Sequence, residues 1–160
     1  DTARSRGLGD VYKRQHWGHI NFTKADITFD GDAISTGNFI VDMTSISVDD
    51  ISGGGKNRLE NHLKDDDFFS VDKFNNAELE ILEKSEMIDN KYLIEANLTI
   101  KGITNPITFE MTLVAEDSYK AKLIFDRSKY DVQYRSGSFF ENLGDRLILD
   151  DVELEVTLVK

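Results

Sequence analysis

The three histidines, His16, His19 and His62, are the side chains best suited to bind a metal ion or to move a proton. His16 and His19 fall in an alternating stretch, so they point to opposite faces of the predicted strand and are poorly placed to share one ion. His62 lies in a predicted helix, where a metal site would require it to meet Asp65 or Asp66. A histidine beside leucines on a helix more often packs at the edge of a core. We therefore predict no metal site.

No other pattern in the sequence is typical of catalysis. Acidic pairs are abundant, but none comes with the partner pattern that a glycosidase-like pair would need. The GxSxG motif is absent, and Gly53-Gly54-Gly55-Lys56 lacks the spacing of a phosphate-binding loop. The chain has no cysteine, which excludes a thiolate nucleophile, a disulfide and a thiolate-bound zinc. We predict no catalytic residues, no cofactor and no enzymatic activity.

Cations and phenols are concentrated in the segment FDRSKYDVQYRSGSFFENLGDRLILDD, residues 125–151. Its glycines and its adjacent phenylalanines are typical of an ordered crossing that caps a sheet, or of a surface loop. Arg127, Tyr134 and Arg135 could donate hydrogen bonds to a polar or phosphorylated headgroup, and we predict this role for them. The alternative is a structural network, because acidic residues within the same segment could pair with both arginines.

Composition limits the partners of this chain. The 160 residues predict one domain that is long enough to bury a core. The net charge of −11 argues against a nucleic-acid surface and disfavours an anionic bilayer. No apolar run approaches the roughly 20 residues of a membrane helix, so we predict no integral membrane segment.

The first 15 residues differ from the rest of the chain. SRGLGDVYKRQ, residues 5–15, resembles a translated sequencing adaptor of the kind found in metagenomic assemblies, and it is the clearly basic stretch of an acidic protein. A natural basic tail is the alternative. We predict that residues 1–15 are a non-native tail that packs on little, and that residues 16–160 form the domain. On this interpretation the native N-terminus and a first strand have been lost, and the lack of a signal peptide says nothing about export.

The remaining chain alternates apolar and polar residues with the two-residue period of half-buried strands. One short helix is predicted at 57–65, after a loop at 44–56, and KGITN at 101–105 is predicted as a turn before a strand that starts at Pro106. The predicted strands, about eight in all, cover residues 16–23, 25–30, 33–43, 77–83, 91–101, 106–113, 119–126 and 146–159.

Each predicted strand has one apolar face, which a closed antiparallel barrel or a two-sheet sandwich would bury. Periodicity alone does not separate the two. If the sheet closes, its apolar faces converge on one interior. The residues that we predict to line this interior and bind a ligand are Ile94, Ala96, Leu98, Phe109, Met111, Leu123, Phe125, Leu154 and Val156.

Three segments together resemble the YceI-like family: NRLENHLKDDDFFSVDKF at 57–74, LTIKGITNPITFEMTL at 98–113, and FDRSKYDVQYRSGSFFENLGD with DDVELEVTL behind it. They match in order and spacing across residues 16–159. The resemblance implies a closed, lipocalin-like antiparallel barrel that holds a polyisoprenoid or similar amphiphile. It also implies a bacterial protein that is periplasmic or secreted.

The first functional hypothesis is a non-catalytic carrier or sequestering protein for an isoprenoid or another long amphiphilic lipid. The alternatives are a barrel enzyme acting on a hydrophobic substrate and a filled-core protein of stress response or interaction. The predicted partner is the apolar ligand, without nucleic acid, and a homodimer is left open.

Overall fold

The computed structural model describes residues 2–8, 15–141, 143 and 148–160, with side chains from His16 onward. These described residues form β-strands, one α-helix and one 3-10 turn, the last at Arg127–Tyr130. The strands are β1 (Thr2–Leu8), β2 (Gln15–Asp30), β3 (Ala33–Val48), β4 (Asn76–Ile81), β5 (Lys91–Ile100), β6 (Ile103–Ala115), β7 (Ser118–Asp126) and β8 (Asp151–Val159). The helix, α1, spans Gly53–Lys64.

Seven strands, β2 to β8, form one antiparallel sheet in chain order, and the sheet curls around its apolar face. At the two ends of this series, the backbone of β1 pairs antiparallel with β2 and with β8. Because these strands follow one another in one continuous sheet, the fold is not a sandwich of two separate sheets. The sequence predicted a closed antiparallel barrel of about eight strands. The structure confirms that the protein is all-β, with an antiparallel, curled sheet and one short helix.

The N-terminal segment does not behave as expected. Residues 1–15 were predicted to pack on little, but every residue from Thr2 to Gly7 has backbone partners in both β2 and β8. A strand needs only backbone N–H and C=O groups to join a ladder, so a sequence without apolar alternation can still pair. Residues 1 and 9–14 lie outside the described part of the chain. The adaptor origin of this segment stays a prediction.

Alternation correctly predicted which strand faces are buried. In β5 the odd-numbered side chains are exposed or half-buried, whereas the even-numbered ones are buried: Tyr92, Ile94, Ala96, Leu98 and Ile100. The turn into β6 is tighter than predicted. Lys101 and Gly102 both have positive φ, 52° and 73°, as a two-residue hairpin with type I′ geometry requires. β6 therefore begins at Ile103, and Pro106 lies within it, opposite Asn97.

The predicted loop at 44–56 is wrong at both ends. β3 runs on to Val48, and α1 begins at Gly53 instead of residue 57. Three glycines at 53–55 are poor helix formers, which is why the pattern placed the start later. The helix is tied to the end of β3, since Glu60 accepts a hydrogen bond from the Val48 N–H at 2.8 Å.

Two other boundaries differ from the prediction. The pieces predicted at 16–23 and 25–30 are one strand, β2, with a register shift between Phe22 and Lys24. The last strand begins at Asp151 and not at 146, since residues 148–150 are not in a strand and 146 and 147 lie outside the described residues.

Candidate functional site

A cavity of about 290 Å³ lies inside the curled sheet, at the end that carries α1. All the described strands from β2 to β8 contribute to its wall, and α1 contributes Leu59 and Leu63. The wall is almost entirely aliphatic and aromatic. Its apolar members include Ile20, Phe22, Phe39, Val41, Met43, Phe68, Phe69, Ala77, Leu79, Ile100 and Ala121.

The opposite end of the sheet is filled by side chains. The Tyr92 and Tyr119 rings lie 6.3 Å apart, and Phe29 stacks on Tyr119 at 5.9 Å. The Tyr92 hydroxyl donates a hydrogen bond to the Asp32 carbonyl at 2.6 Å. Burial raises the pKa of both tyrosines. The space within the sheet is therefore a blind pocket with one packed end and not a through channel.

The packed end decides which of the predicted interior residues can touch a ligand. Six of them line the cavity: Leu98, Phe109, Leu123, Phe125, Leu154 and Val156. The other three, Ile94, Ala96 and Met111, are buried but belong to the packed end and do not line the cavity. Inward direction was correct for all three. Alternation shows which face of a strand is buried, but not how far along the curled sheet a residue lies, so the sequence did not separate the cavity from the packed end.

Several cavity residues were not among the predicted site residues. They come from β2, β3 and β4, from further positions of β5, β7 and β8, and from α1 with the Phe68–Phe69 turn that follows it. The sequence signal for β2 and β3 was present, since Ile20, Phe22 and Phe39 alternate with polar residues. The helix and the turn carry no two-residue pattern that would place them over the sheet.

Arg127 is the cation among the cavity-lining residues, and it is only 2% exposed. Its guanidinium donates four hydrogen bonds to backbone carbonyls: to Leu149 at 3.1 Å, Val132 at 3.0 Å, Tyr134 at 2.9 Å and Ile148 at 3.0 Å. Burial lowers the pKa of this guanidinium, while Asp150, 3.9 Å away, and Asp126 oppose the shift. The side chain therefore links residues 132–134 to residues 148–149. A structural network was the alternative role expected for this segment from the sequence, but with acidic side chains as the partners, whereas the acceptors are mainly backbone carbonyls.

Tyr134 and Arg135, the other predicted headgroup residues, lie outside the cavity wall, beside a shallow groove on the surface. Tyr134 packs edge-on against His62 at 4.5 Å, and Phe68 lies 4.9 Å from the same histidine. Arg135 is exposed, with its guanidinium carbon 5.1 Å from the Tyr134 ring centroid. These contacts place His62 at the edge of an aromatic cluster, the packing role expected from the sequence.

Two histidines pair with aspartates at the end where α1 sits. His16 Nδ1 lies 2.8 Å from Asp50 Oδ2, and His19 Nδ1 lies 3.0 Å from Asp49. Both histidines line the cavity, and their partners are adjacent in the chain. Each pair ties the start of β2 to the loop that leads into α1.

One group of potential metal ligands occurs in the described residues. Ligand atoms of His62, Asp65 and Asp67 lie within 4.8 Å of one another, and His62 Nε2 is 3.3 Å from Asp67 Oδ2. Both aspartates are exposed, and one oxygen of Asp65 already accepts the Asp67 N–H at 2.9 Å. These three residues form the polar C-terminal end of α1 and the turn after it, where they bind one another.

A sequence model of the YceI-like domain matches residues 5–160 of this chain. The chain belongs to the YceI-like family. The resemblance seen in the sequence is thereby confirmed. No curated protein matches the chain.

Three solved structures show the same fold as this YceI-like domain. Burkholderia cenocepacia BcnA has a TM-score of 0.75 at 18% identity, covering 99% of this chain and 95% of that one. A Campylobacter jejuni YCEI protein has a TM-score of 0.65 at 20% identity, covering 88% and 82%. A polyisoprenoid binding domain from Saccharophagus degradans, implicated in plant cell wall breakdown, has a TM-score of 0.64 at 10% identity, covering 98% and 91%.

The site of this YceI-like domain is suited to burying an apolar body. Its wall offers few polar atoms, and its one buried cation is occupied by carbonyl groups. Among the described residues, no helix is long and apolar enough to span a membrane.

Proposed function

We propose that this YceI-like domain binds a long apolar molecule, of the isoprenoid class, inside its curled sheet and acts without catalysis as a carrier or sequestering protein. The observation that carries the proposal is the cavity of about 290 Å³ with an apolar wall and a packed far end. A ligand tail that buries about 250 Å² there would gain about 6 kcal/mol before the costs of association. The polyisoprenoid-binding relative from Saccharophagus degradans supports the ligand class.

Closure of the sheet belongs to the same proposal. An apolar ligand is held best when no gap in the sheet exposes it to water, and a closed barrel leaves no unpaired edge. The pairing of β1 with both β2 and β8 supports an eight-strand closed barrel. We propose closure for the functional protein, with β1 or its native counterpart as the eighth strand.

The ligand would lie with its polar end towards α1 and the 127–135 segment, because the other end of the sheet is packed. Arg135 and Tyr134 are the predicted headgroup residues that retain surface accessibility there. Arg127 faces the cavity, but four of its N–H groups already bind carbonyls. We therefore propose that Arg127 contributes to the headgroup region mainly by ordering it. A periplasmic or secreted location, which membership of the family supports, is part of the proposal.

The test is to fill the cavity with a bulky side chain. Ala121→Phe introduces a ring into the cavity wall, whereas Ala96→Phe introduces the same ring into the packed end. We expect Ala121→Phe to lower the affinity for a fluorescent isoprenoid at least tenfold. Ala96→Phe should cost about 1–3 kcal/mol of stability by overpacking and leave affinity nearly unchanged.

Folding of both variants is checked by circular dichroism, and binding by fluorescence titration with the probe delivered from ethanol. Parent-like affinity of a folded Ala121→Phe variant would mean that the ligand does not occupy the cavity. Loss of binding only in Ala96→Phe would place the ligand at the other end.

A further inference from the structure

The exposed aromatic residues occur in two segments, the start of β2 and the turn at residues 136–140, and the turn is hydrogen-bonded to Asp150, which follows the cavity-lining Leu149. Among the side chains that the structure describes, three aromatic ones are classed as exposed: Trp17 at 44%, Phe139 at 46% and Phe140 at 47%. Trp17 also lines the cavity, as does Leu149, which is 39% exposed. A residue that both lines a cavity and is this exposed lies at its opening. Trp17 and Leu149 therefore mark the mouth.

The two phenylalanines are held next to this mouth by an anchored turn. Their N–H groups both bind the carbonyl of Ser136, at 3.2 and 3.0 Å, and Ser136 is fully buried. The Ser138 hydroxyl donates to Asp150 at 2.6 Å, directly after Leu149 in the chain. The turn thus holds two exposed apolar rings close to the residue that follows Leu149, and Phe140 lines the surface groove beside Tyr134 and Arg135.

We propose that Trp17, Phe139, Phe140 and Leu149 form a rim that docks the domain on the surface of a zwitterionic lipid bilayer. This inference rests on the proposed function. A long isoprenoid is sparingly soluble, so its reservoir is a bilayer, and a carrier must bring its cavity mouth to that surface. Aromatic side chains favour the interface between headgroups and acyl chains. Insertion of the rim would bring the opening to the depth at which the ligand resides.

The charge around the rim selects the type of surface. Asp49 and Asp50 pair with histidines at this end, and Asp151 lines the cavity. The groove that Phe140 lines carries three carboxylates and two cations: Asp66, Asp67, Asp131, Lys101 and Arg135. The rim region therefore has more acidic than basic groups, and the whole chain carries a net charge of −11. An anionic bilayer would repel such a protein. Because acidic groups outnumber basic ones here, we expect the apolar rim to provide most of the binding, phosphatidylcholine to be the preferred surface and added anionic lipid to weaken docking.

The chain has one tryptophan, so its fluorescence reports on the rim without any label. Titration with ligand-free phosphatidylcholine vesicles should shift Trp17 emission to the blue, and brominated acyl chains should quench it. The double variant Phe139→Ser/Phe140→Ser should bind vesicles about tenfold more weakly, because two inserted rings are lost. The matched control Ile88→Ser/Leu93→Ser removes two exposed apolar side chains near the packed end and should bind like the parent.

A second measurement separates docking from ligand binding. The rim variant should take up isoprenoid delivered from ethanol as well as the parent, yet extract it from vesicles about tenfold more slowly. Equal extraction by rim variant and parent would overturn the docking proposal, as would a Trp17 spectrum that vesicles leave unchanged. Self-association that the rim substitutions abolish, without vesicle binding, would assign the rim to a second copy and also overturn it. Failure of the parent to bind ethanol-delivered isoprenoid would instead refute the proposed function.

Discussion

Replacing Arg127 by methionine tests whether this residue is chiefly a structural clamp. Methionine keeps most of the buried volume but removes the four hydrogen bonds to the carbonyls of residues 132, 134, 148 and 149. It also removes the charge that faces Asp150 at 3.9 Å. A buried acceptor left without a donor costs about 1–3 kcal/mol, but loop carbonyls of this kind can turn to water. Removing one partner of a buried charged network costs about 3–5 kcal/mol, and we expect a loss in that range.

The assay is urea unfolding followed by circular dichroism, with Arg135→Met as the control. Arg135 has the same side chain in the same segment but is exposed, so its loss should change stability by about 0.5 kcal/mol or less. Equal losses at the two positions, or an Arg127→Met variant as stable as the parent, would refute the clamp. In that case the guanidinium would be available for a headgroup, as the sequence alone predicted.

Three further predictions concern the sheet. Leu98→Asp should cost at least about 3 kcal/mol because it buries an unpaired charge, whereas Thr99→Asp on the outer face should stay within about 1 kcal/mol; equal effects in urea unfolding would mean that β5 is buried on both faces. Burial raises the pKa of Tyr92 above its ordinary value of 10.0, so the neutral hydroxyl stabilises the fold below pH 10 and this contribution is lost as the pH rises through the folded pKa. Melting curves between pH 8 and 11 should therefore show a steeper alkaline loss in the parent than in Tyr92→Phe, and parallel curves would contradict the burial argument. Removing residues 1–15 should lower the melting temperature, because Thr2–Leu8 pairs on both sides, and an unchanged value would show that this pairing contributes nothing.

Residue periodicity predicted the faces of the strands because a strand that borders one core has a fixed two-residue repeat. Every residue of β5 and β7 that was predicted to line the interior is buried: Ile94, Ala96, Leu98, Leu123 and Phe125. The resemblance to the YceI-like family added what periodicity could not, namely one curled sheet in place of two packed sheets.

The site was harder to predict because its limits depend on contacts between distant residues. Ala96 and Ala121 look alike in the sequence, yet the cavity wall includes only Ala121, since the level of each residue is set by strand register. From the sequence, Arg127 was predicted to bind a headgroup. In the structure its guanidinium donates hydrogen bonds to the carbonyls of Ile148 and Leu149, which lie about 20 positions away in the chain. Every residue has a backbone carbonyl, so the sequence does not indicate which carbonyls accept these hydrogen bonds.

Native mass spectrometry of the protein purified from bacteria tests the central claim most directly. We predict a population that carries one non-covalent lipid adduct, which organic extraction removes and which an isoprenoid alcohol restores at one molecule per chain. Ala121→Phe should show the unliganded mass under the same conditions, and Ala96→Phe should keep the adduct. A parent protein that shows only the unliganded mass, before and after incubation with the isoprenoid alcohol, would contradict the account.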